Sequence, residues 1–191
     1  MYLPLLKVIY LERSILMKKK YVTLMIVVIM LVTASVAYAA SQGFVARLSG
    51  GEEVPRRLTD ATGIATFQLS EDGTALSYSV NVADIENVFA AHIHCGPKHV
   101  SGPVGVTLFS GTPGGGPISG TLATGTITAP DPGNACGWAD LAAVVAAITS
   151  NNAYVNVHTN DGVAPTNTGP GDFPGGEIRG QLLVAPPVKG Q

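Results

Sequence analysis

The chain is 191 residues long and carries 11 basic and 13 acidic side chains, a formal net charge of −2. That length can bury a core of its own, and the charge balance leaves no basic patch for nucleic acid or anionic lipid. Glycine, proline, threonine and valine are prominent, which favours short strands and frequent turns over long helices.

The amino end predicts export. Met17-Lys18-Lys19-Lys20 is basic, Tyr21 to Val36 is almost wholly apolar, and Ala37-Tyr38-Ala39 offers a small-x-small cleavage site. That order defines a secretory signal over residues 1–39. The alternative is an uncleaved membrane anchor, because the apolar run is near the lower limit for a spanning helix, although no charged stop-transfer cluster follows Ala39. Met17 is an alternative start. The expected mature chain begins at Ala40 and holds six basic against twelve acidic residues. It is expected to work in a secreted, periplasmic or cell-surface setting, touching a membrane only if the signal stays on.

Alternation then marks a series of strands. Phe44 to Leu48 opens the domain, and Gly51 to Thr62 is a polar turn region. Gly63 to Ser70 puts Ala65, Phe67 and Leu69 on one face; Leu76, Tyr78, Val80 and Val82 alternate in the next strand, after an Asp72-Gly73 turn. Val88 to Cys95, Pro103 to Phe109 and Thr121 to Thr128 follow, with a glycine-rich loop at Gly111 to Gly116. Ala139 to Ile148 breaks the pattern: Leu141, Val144, Val145 and Ile148 recur at helical spacing behind Asp140, predicting a short amphipathic helix that acts as a lid between strands. Ala153 to Thr159 and Glu177 to Val184 complete the set, separated by the loop Asn160 to Gly176. Seven or eight short strands with one short helix predict an all-β, immunoglobulin-like Greek-key sandwich over residues 40–185, with a flexible tail at 186–191.

The histidines carry the chemistry. Successive strand side chains point to opposite faces. Phe89, Ala91 and Ile93 therefore share one face, the core, and His92 and His94 the other. Likewise Val155 and Val157 face the core while His158 points outward. If those strands are neighbours, three imidazoles converge on one patch of sheet surface. Such a set suits Cu(II) or Zn(II), with His99, in the following loop, as a further candidate ligand. Polar residues on a solvated strand face are the plainer reading. Backbone carbonyls, or an acid such as Asp161 or Glu177, could orient the ring nitrogens that do not touch metal. Affinity is expected to fall as pH drops through about 6.

Two cysteines remain. Outside the cytoplasm Cys95 and Cys136 are expected to pair, closing a 41-residue separation worth about 4 kcal/mol on the chain-entropy account. The rival role is a thiolate ligand at Cys95, directly after His94. No catalytic set is evident, and the reading leans away from an enzyme. Glu177 and Asp172 could pair for acid–base work, but turns and strand faces carry carboxylates routinely. Gly114-Gly115-Gly116 lacks the context of a phosphate cradle.

Several blocks resemble the CHRD (chordin-type) domain: Phe44-Val45-Ala46-Arg47-Leu48-Ser49-Gly50 with Glu53-Val54-Pro55, Ala61-Thr62-Gly63-Ile64-Ala65-Thr66-Phe67, and Ala90-Ala91-His92-Ile93-His94-Cys95-Gly96. Ser101-Gly102-Pro103-Val104, Ala153-Tyr154-Val155-Asn156-Val157-His158-Thr159, and Pro174-Gly175-Gly176-Glu177-Ile178-Arg179-Gly180-Gln181-Leu182 extend the resemblance to about Phe44–Val184. It implies a secreted immunoglobulin-like β-sandwich. A weaker similarity, in the order of motifs, is to copper/zinc superoxide dismutase. It implies copper at His92, His94 and His158 and an anion-guiding Arg179, whose plainer role is structural, paired with Glu177 or Asp172. The departure is the loop after His94, which lacks the ligands of a zinc subsite, so none is expected. The resulting expectations are a copper-binding domain, an extracytoplasmic module recognising a protein or glycan without metal, and dismutase-like activity.

Overall fold

The computed structural model describes residues 42–186. The predicted signal and most of the predicted tail lie outside the described residues. The elements in chain order are β1 (Gly43–Ser49), β2 (Thr62–Leu69), β3 (Leu76–Glu86), β4 (Val88–Cys95), β5 (Val104–Ser110), β6 (Pro117–Ile127), α1 (Leu141–Thr149), β7 (Ala153–Thr159), β8 (Ile178–Gln181) and β9 (Leu183–Val184). A single 3₁₀ turn follows β1 at Gly50–Glu52.

The expected all-β architecture is the one observed, and its two layers are halves of a single antiparallel sheet. The strand order is β5-β4-β7-β8-β1-β2-β3-β6, with β9 also paired to β1. The chain crosses between the halves after β3, after β5 and again after β6. The ends of the sheet curl towards each other, so the fold is nearly a barrel: the Tyr78 hydroxyl on β3 donates to the Leu108 carbonyl on β5 at 2.8 Å. Closure of this kind leaves few open edges for another chain to pair with.

Inward side chains from both halves form one apolar core, including Phe44, Leu48, Leu76, Val80, Ile93, Val155, Val157 and Ile178. The helix belongs to that core. Leu141, Val144, Ala147 and Ile148 are buried in it, so α1 is a packed wall of the domain and not the expected lid. The Asp140 carboxylate caps it by accepting from the Ala143 amide. The expected disulfide is present between Cys95 and Cys136, with Cα atoms 5.7 Å apart. It ties the end of β4 to the segment before α1.

One face assignment on β4 is corrected. Val88, Ala91 and Ile93 enter the core, whereas Phe89 does not. Register shifts against β7 after Val88 and against β5 after Ala91 mark bulges that reset the alternation. Phe89 therefore lies on the histidine side, with its ring edge-on to His158 at 6.2 Å.

Candidate metal centre

β4 and β7 are adjacent, in a register that pairs Ala90 with His158, His92 with Asn156 and His94 with Tyr154. The outer face of this part of the sheet is therefore a polar row of His92, His94, Tyr154, Asn156 and His158. It is not an open surface patch. All seven residues of β7 are buried, because loops cover the face opposite the core.

Those covering loops also orient the histidines. His94 Nδ1 donates to the Gly102 carbonyl at 2.9 Å, and His158 Nδ1 donates to the Pro174 carbonyl at 3.0 Å. A carbonyl can only accept, so both rings are assigned the Nδ1–H tautomer. Their Nε2 atoms then face each other at 3.3 Å as two lone pairs. His92 completes the set, its ring 5.0 Å from His158 and 5.5 Å from His94. Its Nδ1 is buried with no hydrogen-bond partner among the described residues. One nitrogen from each of the three rings falls within 4.8 Å of the others.

The surroundings keep these rings neutral. Burial pushes His94 and His158 down to about 4 from the ordinary imidazole value, with neighbouring imidazoles adding to the shift. Burial also lowers His92, opposed by the nearby Asp131 carboxylate. Desolvation thus removes the proton that would compete with a cation. Three neutral imidazoles with converging lone pairs, two of them fixed by hydrogen bonds from their far nitrogens, fit a borderline metal ion.

Tyr154 supports His94 from below. Their rings stack at 5.0 Å with 11° between planes. The Tyr154 hydroxyl lies 2.9 Å from the Gly102 amide and 3.2 Å from its carbonyl, so it pins the residue that orients His94. Only glycine fits there, because a Cβ at position 102 would collide with the Cys95 carbonyl.

Arg179 lies on the other face of Tyr154, its guanidinium 3.4 Å from the ring centroid. It donates to the carbonyls of Pro97 and Val100 and is 2 % exposed. Of its two expected roles the geometry supports the structural one, through loop carbonyls and an aromatic face. The expected carboxylate partners are engaged elsewhere. Glu177 accepts from Thr59, Thr159 and the Gly171 amide, and Asp172 from Thr168. The two acids expected to orient the histidines bond elsewhere, Glu177 through both carboxylate oxygens and Asp161 to the Val163 amide, so the orienting is done by the Gly102 and Pro174 carbonyls. His99 is exposed in the covering loop at φ 64 and lies outside the cluster. Cys95 is in the disulfide and is no ligand.

Sequence reasoning missed Tyr154, Gly102, Pro174 and the buried Glu53. Tyr154 shares strand parity with His158 and could have been placed on its face. The two carbonyls have no side-chain signature.

The fold and disulfide define an all-β module of the extracellular type with a buried histidine cluster. No helix among the described residues is long and apolar enough to cross a membrane. The chain belongs to the CHRD domain family, whose sequence profile matches residues 44–182. Neither the curated proteins nor the solved structures contain a significant match.

Proposed function

We propose that this protein is exported by its N-terminal signal and binds one copper ion through His92, His94 and His158. The observation that carries the reading is the confrontation of two Nε2 lone pairs at 3.3 Å. Two neutral acceptors held face to face repel each other, and a cation between them relieves that repulsion. His92 offers a third ring nitrogen within 4.8 Å of the other two. Imidazole ligands suit copper, zinc and other borderline ions alike, and the general affinity order of first-row metals favours copper among them. When bound, copper supplies one-electron exchange between Cu(II) and Cu(I). The residues of this chain hold the ring nitrogens in place and keep them deprotonated. Dismutase-like activity has weaker support: Arg179 is turned into the covering loop, and the mature chain is acidic, which opposes anion steering.

Calorimetric titration of the exported protein with Cu(II) at neutral pH tests the proposal. The expected stoichiometry is about one ion per chain. Binding should be abolished or strongly weakened in His92→Ala, His94→Ala and His158→Ala, and retained in His99→Ala. Wild-type protein that takes up no copper, or histidine variants that bind as wild type does, would overturn it.

A further inference from the structure

A cleft of about 680 Å³ opens beside the covering loop, away from the three histidines. Val45 and Arg47 of β1, Pro97 and Lys98 of the loop, and Gln181 and Leu183 of β8–β9 are among its walls. Its size falls within the roughly 300–1,000 Å³ of small-ligand sites.

Charge makes the cleft unusual in this protein. The mature chain has only six basic residues. Arg179 is spent on loop carbonyls and Arg57 lies over the Phe173 ring, while Lys189 is outside the described residues. The remaining cations are Arg47, Arg56 and Lys98, and two of the three line this cleft. Lys98 is neutralised by Glu52 at 3.2 Å. Arg47 is exposed and makes no ion pair among the described residues. It offers a planar fork suited to one carboxylate.

The other groups narrow the ligand further. Gln181 is immobilised by its Nε2, whose two N–H groups are shared among the carbonyls of Gly96, Asn151 and Ala153. Its Oε1 is buried, so Gln181 serves the cleft by fixing the backbone of Gly96 and Asn151 in place. Ser150 and Asn151, which also line the cleft, follow the C-terminal end of α1. The partial negative charge there disfavours a doubly charged phosphate and suits hydroxyl donors. Val45, Pro97 and the half-exposed Leu183 supply an apolar wall. One carboxylate, several hydroxyls and an apolar C–H face are combined on a single uronic-acid ring. We infer that this cleft binds a uronate-containing oligosaccharide, with Arg47 on the carboxylate. The inference is independent of the copper reading, since no histidine of the cluster lines the cleft.

Titration of the exported full chain with trigalacturonate tests it, alongside galactotriose and an N-acetylated tripeptide with a free C-terminal carboxylate. Saturable binding of trigalacturonate is expected, with affinity falling as salt rises. Arg47→Gln should weaken it at least about tenfold, the effect of losing one charge-assisted pair. Leu183→Ser, an exposed change elsewhere in the cleft, should weaken it with the fold intact by circular dichroism. No saturation up to about 10 mM, or equal binding of the neutral sugar or the tripeptide, would overturn the assignment. So would folded Arg47→Gln and Leu183→Ser variants that both bind as the wild type does.

Discussion

At the scale of single residues, the behaviour of the histidines follows from what their far nitrogens touch. Because burial lowers His94 and His158 to about 4, protons compete for the metal-binding nitrogens only near that pH. The window of about 6 expected from an ordinary histidine therefore moves down. Copper affinity should change little between pH 7 and about 5.5 and fall steeply towards pH 4; titrations at those pH values check it. Tyr154 and Gly102 act one step removed. Tyr154→Phe removes the hydroxyl that pins Gly102, so it should cost about 1 kcal/mol of stability and weaken copper binding, while Tyr154→Leu should do more by also removing the stack on His94. Chemical denaturation paired with copper titration separates the two effects. Gly102→Ala should be more damaging than either, because the added Cβ would fall on the Cys95 backbone carbonyl and force the main chain to shift.

At the scale of elements, β7 decides whether the site exists. It is buried on both faces, so its alternation separates an apolar core side from a polar layer that loops must satisfy. The helix is held by local chemistry: Asp140→Ala removes the cap at Ala143 and should cost about 1 kcal/mol, read as a lower urea midpoint with unchanged slope. The disulfide anchors both β4 and the approach to α1. Unreduced, denatured protein should show no titratable thiol. The double change Cys95→Ser with Cys136→Ser should cost about 2–5 kcal/mol, checked by thermal and chemical unfolding.

At the scale of the whole molecule, the covered polar layer links folding to pH in two opposed directions. His94 and His158 have folded values below the ordinary 6.5, so their stabilisation is present above about 6.5 and lost as pH falls to about 4. Glu53 is raised to about 7 by burial, against the pull of Arg179. Its stabilisation is present below its ordinary 4.5 and lost as pH rises through 7. Two groups oppose one of similar size. The metal-free domain should therefore lose on the order of 3 kcal/mol between pH 7 and pH 4. Urea unfolding across that range checks the sign, and added copper should deepen the difference by stabilising only the folded state at the higher pH.

Alternation and spacing alone located the strands well, with β4 and β7 placed end to end and α1 within two residues. That was possible because period-two and helical patterns are local properties of a half-buried element. The sharing of a face by His92 and His94 was legible for the same reason, and so was the pairing of the two cysteines. What the pattern could not carry was anything set by neighbours distant in the chain. The β4 bulges that turned Phe89 outward depend on register with β5 and β7. Burial of the histidine face depends on loops folding back from residues 96–102 and 160–177. The tautomers of His94 and His158 depend on two backbone carbonyls, which every residue has and which only the tertiary fold aims. The same fold turned Arg179 inward and left Arg47 exposed with no ion pair among the described residues, although both are strand arginines that look alike in sequence.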